Sequence, residues 1–199
     1  MSLKSEVFQS YYDMDEQGRY RIEVRLGTHY AVFDDMDPAP VEKRTLNIGI
    51  GRYVESSVNE LPVNAPIVLD FYLDRSSSLR DPSMELQTTR GIRNYFLFRH
   101  RLIAEEGAMS RKRAVIWILM SVLFTMIQIF GRLSMTAMPS SNAFIAALRE
   151  ILQTGLTVST WVFLWEGISI IAFQLPQLRM RFARSRKLLH ADIRFFYAK

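Results

Sequence analysis

Two long apolar runs constrain this chain more than any other feature of its sequence. Residues 114–131, AVIWILMSVLFTMIQIFG, contain no charged side chain, and their only polar ones are Ser121, Thr125 and Gln128. Extended to residue 133, the run forms a helix of about 30 Å, which is the thickness of a bilayer core. A helix of this length without a polar face is unusual in a soluble core, so we predict a membrane span over about 114–133.

A second apolar run of similar length covers residues 156–175. Polar residues interrupt it more often than the first, namely Thr157, Ser159, Thr160 and Glu166. We predict a second span over about 156–175 that ends at Pro176, because proline disfavours a continuing helix.

The connection between the two runs has two distinct parts. Residues 136–142, TAMPSSN, are typical of a turn, and Ser141 or Asn142 could cap a following helix. Residues 143–155 have amphipathic spacing. This segment either lies along the outer membrane interface or extends the second span as one long helix.

Charge is distributed unevenly, and this distribution predicts the orientation. The net charge is −4 over residues 1–98, +3 over 99–113, 0 over 114–176 and +6 over 177–199. Because positive residues flank the cytoplasmic ends of spans, both termini are predicted to be cytoplasmic. The basic residues expected to contact lipid head groups are Arg111, Lys112, Arg113, Arg179, Arg181, Arg184, Arg186 and Lys187.

The N-terminal region predicts a small α+β head of βαβα type. Residues 20–26, YRIEVRL, alternate between two faces, as in a strand with one buried side. Residues 45–60 have helical spacing, 66–73 (PIVLDFYL) are typical of a central strand, and a helix is predicted from Ser83 to about Gly107. Since two strands alone are marginal, we expect a third near the N-terminus, where Phe8, Tyr11 and Tyr12 precede a turn, or strand pairing between subunits.

The C-terminal residues 177–199 predict a basic amphipathic helix. Apolar residues alternate irregularly with seven basic ones, and long cationic side chains of this kind anchor a helix at a membrane surface. The predicted organisation is therefore a cytoplasmic domain at 1–107, a transmembrane hairpin at 108–176 and a basic tail at 177–199.

Few residues point to catalysis or metal binding. The chain has no cysteine, which excludes disulfides, thiolate metal sites and cysteine nucleophiles, and its three histidines lack ligand spacing. Asp34, Asp35 and Asp37 could hold Mg²⁺, but such a cluster is more typical of a turn and a helix start. We predict no enzymatic activity, no cofactor and no metal.

Glu166 is the residue that physical chemistry singles out. A carboxylate near mid-membrane costs about 3 kcal/mol on an insertion scale, so it should face protein or water. Its candidate partners are Gln128 and Arg132 of the first span, or Glu166 of another subunit. A structural hydrogen bond that fixes helix packing and a role in ion passage both remain open.

Several segments together resemble a family of bacterial inner-membrane proteins with two transmembrane helices. WVFLWEGISIIAF (161–173) is similar to its W-V-x-x-W-[ER]-P-x-E-I pattern, and HYAVFDDMDPAPVEKRTL (29–46), VESSVNELPVNAPIVLDFYL (54–73) and GIRNYFLFRHRL (91–102) resemble its other segments in the same order. Gly167 replaces the proline of the pattern and Ser169 its second acid. The resemblance implies the architecture and a bacterial inner membrane, and it implies no activity.

These observations predict a membrane-anchored scaffold or assembly protein that oligomerises and presents its acidic head to a protein partner. The alternative is a small channel or pore subunit built around Glu166 and Gln128. The predicted partners are anionic lipid head groups, further copies of the chain and an unidentified protein, and nucleic acid is not expected, because no recognition motif accompanies the basic residues.

Overall fold

The structure, a computed structural model, describes residues 11–74, 81–137 and 142–197. Two compact units are present. The sheet unit comprises Met1–Ile103 together with Met180–Lys199, and the helical unit comprises Ala104–Arg179. The predicted role of Phe8 in an early strand, and most of the predicted turn at 136–142, lie outside the described residues.

The chain mixes helices and strands, as predicted. In chain order the main elements are β1 (Tyr20–Leu26), α1 (Ile48–Glu60), β2 (Ile67–Leu73), α2 (Pro82–Ala137), α3 (Ala143–Ser169), a π-helical segment (Ile170–Gln174), α4 (Leu175–Leu189) and β3 (Asp192–Tyr197). Short 3₁₀ turns at His29–Val32 and Val41–Lys43 lie between β1 and α1.

The strands form one parallel sheet in the order β1-β2-β3. β2 matches the predicted central strand, and six of its seven residues are buried. β1 matches the predicted alternating strand, since Tyr20, Ile22, Val24 and Leu26 are buried while the residues between them are more exposed. Parallel pairing requires a crossover between consecutive strands. α1 lies in the first crossover, and all of α2, α3 and α4 lie in the second.

The third strand corrects two predictions. It was expected near the N-terminus, where the described residues contribute only an isolated antiparallel bridge between Met14 and Tyr20. It comes instead from Asp192–Tyr197, within the tail that was predicted to be helical throughout. The residues Ile193, Phe195 and Tyr197 recur with a period of two, which is the period of a strand. The preceding basic helix obscured this short pattern.

The main core of the sheet unit lies on one face of the sheet. Ile22 and Val24 of β1 belong to the same buried cluster as Leu69 and Phe71 of β2. The helices α1 and α2 add Val54, Val58, Ile92 and Phe96, and β3 adds Phe195, whose ring stacks on Phe71 at 5.6 Å. Burial of these large apolar side chains is the main favourable contribution to the stability of this unit.

The other face of the sheet carries charged and aromatic side chains. Arg21 donates from Nε to Asp70 Oδ2 at 2.6 Å, and Asp70 is fully buried in the central strand. Arg194 of β3 donates to Asp15 at 2.6 Å, while the rings of Tyr72 and Phe196 stack at 5.0 Å. A buried carboxylate is stable only with such a partner. The Arg21–Asp70 pair therefore links β1 to β2, and the Tyr72–Phe196 stack links β2 to β3.

In the helical unit, α2 and α3 contact each other along the apolar runs. Gly167 lies against Ala114 and Ile118, and Phe163 packs on Trp117 and Phe124 with ring centroids 5.5 and 4.9 Å apart. The residue numbers of successive contacts increase along α2 while they decrease along α3, as expected for antiparallel helices. A side chain at Gly167 would approach Ile118 to 2.8 Å, so glycine permits this close packing.

The helices are longer than the sequence predicted. α2 continues from Pro82 to Ala137, so the helix predicted from Ser83 to about Gly107, which was expected to run up to the membrane, is one element with the first apolar run. Residues 143–155 extend the second apolar run as one helix, with the side chain of Asn142 accepting the Phe144 amide as its cap. Pro176 does not end the helix either. The π-helical segment Ile170–Gln174 precedes it, and this wider hydrogen-bond pattern accommodates the missing proline N–H.

Gly91 provides a test of the packing between α2 and the loop after β1. A Cβ atom at this position would lie 2.6 Å from the Val41 carbonyl oxygen and 2.6 Å from the Phe33 ring. We expect Gly91→Ala to destabilise the protein by about 2 kcal/mol through overpacking. Thermal unfolding in detergent, followed by the near-UV circular dichroism of the tyrosines, measures this change.

Gly107→Ala is the matched control on the same helix. Its new Cβ would lie 3.7 Å from a guanidinium nitrogen of Arg111, which is an ordinary contact. Alanine has the higher helix propensity, so this variant should be neutral or slightly stabilised. Equal unfolding temperatures for the two variants would contradict the packing described here.

Candidate functional site

The polar side chains of the apolar helices form two different groups in the structure. Gln128 of α2 donates from its amide to the Thr157 hydroxyl of α3, and Thr157 in turn donates to the Gln153 carbonyl at 2.9 Å. Gln128 is therefore satisfied within the chain, and its partner is Thr157 rather than Glu166. A hydrogen bond of this type joins helices in an apolar surrounding.

Glu166 lies on the outer side of α3. Its side chain is exposed, and among the described residues it makes no hydrogen bond or ion pair, although the adjacent Gly167 is buried against α2. The predicted contacts of Glu166 with Gln128 and Arg132 of the same chain are therefore wrong. Arg132 is exposed near the far end of α2, 14 residues beyond the level of Ile118.

The depth of Glu166 also differs from the prediction. Gly167 lies opposite Ala114–Ile118, so Glu166 lies level with the first turns of the first apolar run. At 1.5 Å per residue, Ile118 is only about 8 Å beyond Arg113 along α2. The prediction counted back from Pro176 as the end of the span, and α4 continues past that residue. Glu166 thus lies inside the apolar layer but nearer to its basic end than to its middle.

Small residues accompany Glu166 on the outer face of α3. Gly155, Ser159 and Val162 precede it at spacings of three or four residues, which places them on one side of the helix. A Cβ at Gly155 would meet nothing within 4 Å, and Val162 is 58% exposed. We call these four residues the Glu166 face. It combines small side chains with one carboxyl group, a composition found where membrane helices associate.

The eight basic residues predicted to contact lipid head groups fall into two sets. Six of them have exposed side chains, namely Arg111, Lys112, Arg113, Arg179, Arg181 and Arg186. Arg184 and Lys187 instead contact protein backbone, donating to the carbonyls of Asn59 at 3.1 Å and Pro62 at 3.0 Å. These carbonyls lie at the C-terminal end of α1, where cations are favourable. Burial, together with the nearby Arg184, lowers the pKa of Lys187 to about 8.

The acidic cluster Asp34, Asp35 and Asp37 is used by the local backbone. Asp34 accepts the Met36 amide at 2.9 Å, and Asp37 accepts the Ala39 amide at 2.9 Å and both the amide and the hydroxyl of Thr45 at 2.7 Å. These hydrogen bonds lower the pKa of Asp37. Within the described residues, no group of three His, Asp or Glu side chains is suited to a metal ion.

A cluster at the carboxyl ends of the strands was missed by the sequence analysis. The Tyr197 hydroxyl at the end of β3 donates to Glu85 of α2 at 2.8 Å. His29 Nε2 lies 3.1 Å from the Tyr197 hydroxyl oxygen. This arrangement places the histidine proton on Nε2 and leaves Nδ1 buried without a partner among the described residues. The cluster joins the loop after β1, the end of β3 and the start of α2. Since 168 residues separate His29 from Tyr197, spacing alone could not reveal it.

Comparisons with known proteins give no match: no family model, no curated protein and no solved structure is similar to the chain. The resemblance to bacterial two-helix membrane proteins therefore stays a prediction.

His29 should make stability depend on pH. Its side chain is 6% exposed, and burial lowers its pKa below the ordinary histidine value of about 6.5. As pH falls below about 6.5, the unfolded state therefore binds the proton first, and the folded state loses stability until the lower folded-state pKa is reached. The carboxylates with a lowered pKa also reduce the stability of the folded state when they are protonated, but only at more acidic pH.

We expect the urea midpoint of the detergent-solubilised protein, followed by near-UV circular dichroism, to decrease as the pH is lowered below about 6.5. His29→Gln keeps a donor for Tyr197 and removes the titration, so its midpoint should vary less over this range. The difference between the two proteins should be constant above pH 7. Parallel curves over the whole range would show that His29 does not carry the effect.

Proposed function

We propose that this chain is a membrane-anchored assembly protein without enzymatic activity, which self-associates through the Glu166 face and presents its sheet unit to a cytoplasmic partner. The observation that carries the proposal is the carboxyl group of Glu166, which is exposed on a largely apolar helix surface and has no partner among the described residues.

The composition and burial of the long helices support insertion in a membrane. Pro82–Ser134 and Ala143–Leu189 are both long and apolar enough to cross a bilayer, and only 11% of the most apolar 18-residue window of each is buried. A helix in the core of a soluble protein would be mostly buried, because exposed apolar surface of this extent is unfavourable in water. Lipid covers such a surface without this cost.

The pairing of β3 with β2 supports a hairpin with both ends on one side. β2 precedes the first apolar run and β3 follows the second, yet the two strands are paired in parallel from Val68–Asp192 to Leu73–Tyr197. A chain that returns to the same sheet must cross the membrane an even number of times. The basic residues next to the runs then favour the cytoplasm for both ends, and the family resemblance favours a bacterial inner membrane.

The chemistry of Glu166 supports self-association. A carboxyl group inside the apolar layer is unfavourable unless a polar group meets it, and the cost reaches about 3 kcal/mol at the centre of the layer. The neighbouring Gly155 and Ser159 allow another helix to approach closely, as small residues do in membrane helix pairs. A second copy of the chain brings the same face, with its own Ser159 and Glu166, to the contact. A pair of Glu166 carboxyl groups, at least one of them protonated, then gives each chain a hydrogen-bond partner.

The same face also carries the alternative function. If several hairpins arranged their Glu166 faces around a central space, Ser159 and Glu166 would line a narrow polar path, as expected for a small pore subunit. Flux through proteoliposomes separates the two proposals. A pore loses conductance in Glu166→Gln, whereas an assembly protein shows no flux above that of empty liposomes in either form.

The predicted orientation can be measured with reporter fusions. We expect an enzyme that is active only in the cytoplasm to be active when fused to the C-terminus. One that is active only outside should work when inserted between Ser140 and Ser141, since the proposed hairpin exposes this connection there. An external signal from the C-terminal fusion would contradict the hairpin.

Cysteine cross-linking in membranes tests the self-association, because the chain has no cysteine of its own. Val162 is about 40° from Glu166 around the helix, so Val162→Cys should form a disulfide-linked dimer on mild oxidation. Ile168 is exposed at a similar depth but about 200° away. Ile168→Cys is thus the matched control and should remain monomeric.

Substitutions at Glu166 then test the role of the carboxyl group in the Val162→Cys background. Glu166→Gln keeps size and hydrogen bonding and should preserve the cross-linked dimer. Glu166→Leu removes the polar group and should reduce the dimer fraction several-fold. Equal cross-linking at positions 162 and 168, or an undiminished dimer in Glu166→Leu, would overturn the proposed interface.

A further inference from the structure

A cavity of about 550 Å³ opens at the amino ends of the strands in the sheet unit. The turn before β2, the last turns of α4 and the first residue of β3 form its walls. This edge of the sheet is opposite to the one that holds the His29 cluster. Its volume is within the range of about 300–1,000 Å³ that small-ligand sites have in proteins.

The walls of this cavity carry an excess of positive charge. Arg186, Lys187 and His190 line it from one side of α4 and the residue that follows the helix. Among the described residues, none of the three has a carboxylate within ion-pair distance. Arg19 lines it too, but its guanidinium already contacts Asp15 and Asp192. Asp192 is the one carboxylate among the residues that line the cavity, and Arg19 already contacts it. Three further basic groups therefore share one concave space with no other carboxylate to pair with them.

The environment of Lys187 indicates that the cavity favours an anionic ligand. Its ammonium group is half-buried and donates to the Pro62 carbonyl at 3.0 Å, and burial beside Arg184 lowers its pKa to about 8. Burial makes the charged ammonium less favourable here than in water, and an anion in the cavity would offset that cost. The remaining wall residues indicate that the anion also has a polar group and an apolar part. Asn64 adds an amide to the wall, and Val63 and Phe182 add apolar surface beside the basic groups.

We infer that this cavity binds a phosphate ester, with the phosphate between Arg186, Lys187 and His190 and the attached organic group against Val63 and Phe182. A phosphate has several acceptor oxygens and so can receive hydrogen bonds from three separate donors, whereas a carboxylate has two oxygens and is matched by one arginine. The site differs from general attraction to anionic lipid because it requires the cavity as well as the charge.

The phosphate can come from a lipid head group or from a free metabolite. Phe182 follows the last residue of the second apolar run, Leu175, by only seven positions, so a phospholipid is the nearer source. The choice of a phospholipid as the source rests on the proposed membrane location. The inference that the cavity binds a phosphate ester does not depend on that location. Extraction of membranes with alkaline carbonate tests the location independently: an inserted protein stays in the pellet.

Native mass spectrometry of the detergent-released protein tests the site. Wild-type protein from nanodiscs containing phosphatidylglycerol should retain one lipid molecule. Arg186→Gln removes one charge-assisted hydrogen bond and should weaken retention about tenfold. Ala183→Phe keeps every charge but fills the cavity, and it should abolish retention. Arg179→Gln, the matched control, removes an equal charge outside the cavity and closer in sequence to the apolar run, and should retain the lipid.

A parallel titration with glycerol 3-phosphate identifies the source. Binding of the soluble ester with no lipid retention, and loss of that binding in Ala183→Phe, supports the site with a free metabolite as its ligand. Retention of phosphatidylglycerol that falls equally in Arg179→Gln and Arg186→Gln, or that survives Ala183→Phe, overturns it. So does the absence of binding in both experiments. A carbonate-extractable protein that still binds glycerol 3-phosphate would reject the membrane location and keep the site.

Discussion

The parallel pairing of β3 with β2 is the interaction on which the rest of this structure depends. β2 is buried and paired on both sides, so its backbone groups are satisfied only when the chain returns after both apolar runs. The two long helices are thus an insertion in the crossover between neighbouring strands. This arrangement links folding of the sheet unit to completion of the helical unit, because the third strand follows the helical unit in the chain.

The polar residues of the apolar helices have separate roles for a simple physical reason. Gln128 meets Thr157 within the chain, so its hydrogen bond stabilises the packing of α2 on α3 whether or not another chain is present. Glu166 points away from this contact and has no described partner. In hydrocarbon, Gln128 already has a partner within the chain and Glu166 has none among the described residues, which is why the proposed self-association needs the carboxyl group of Glu166 as well as the small residues beside it.

The basic C-terminal residues are likewise not one uniform surface. Arg184 and Lys187 bind carbonyls at the end of α1 and so hold α4 in the sheet unit. Arg186 and His190 face the cavity at the amino ends of the strands, and Arg179 is exposed. A charge count treats all of these residues alike, whereas neighbouring positions on a helix point in different directions. Only some of them are therefore available to lipid.

The sequence by itself determined the features that depend on local pattern. The lengths of the apolar runs predicted two long helices, and the alternation in 20–26 and the apolar run in 66–73 predicted β1 and β2, because these patterns reflect the burial of each element. Tertiary structure decided whatever depends on distant partners: the third strand at Asp192–Tyr197, the contact of His29 with Tyr197, and the outward position of Glu166. Each requires knowing which residues meet across more than 40 positions of chain, and local periodicity contains no information about that choice.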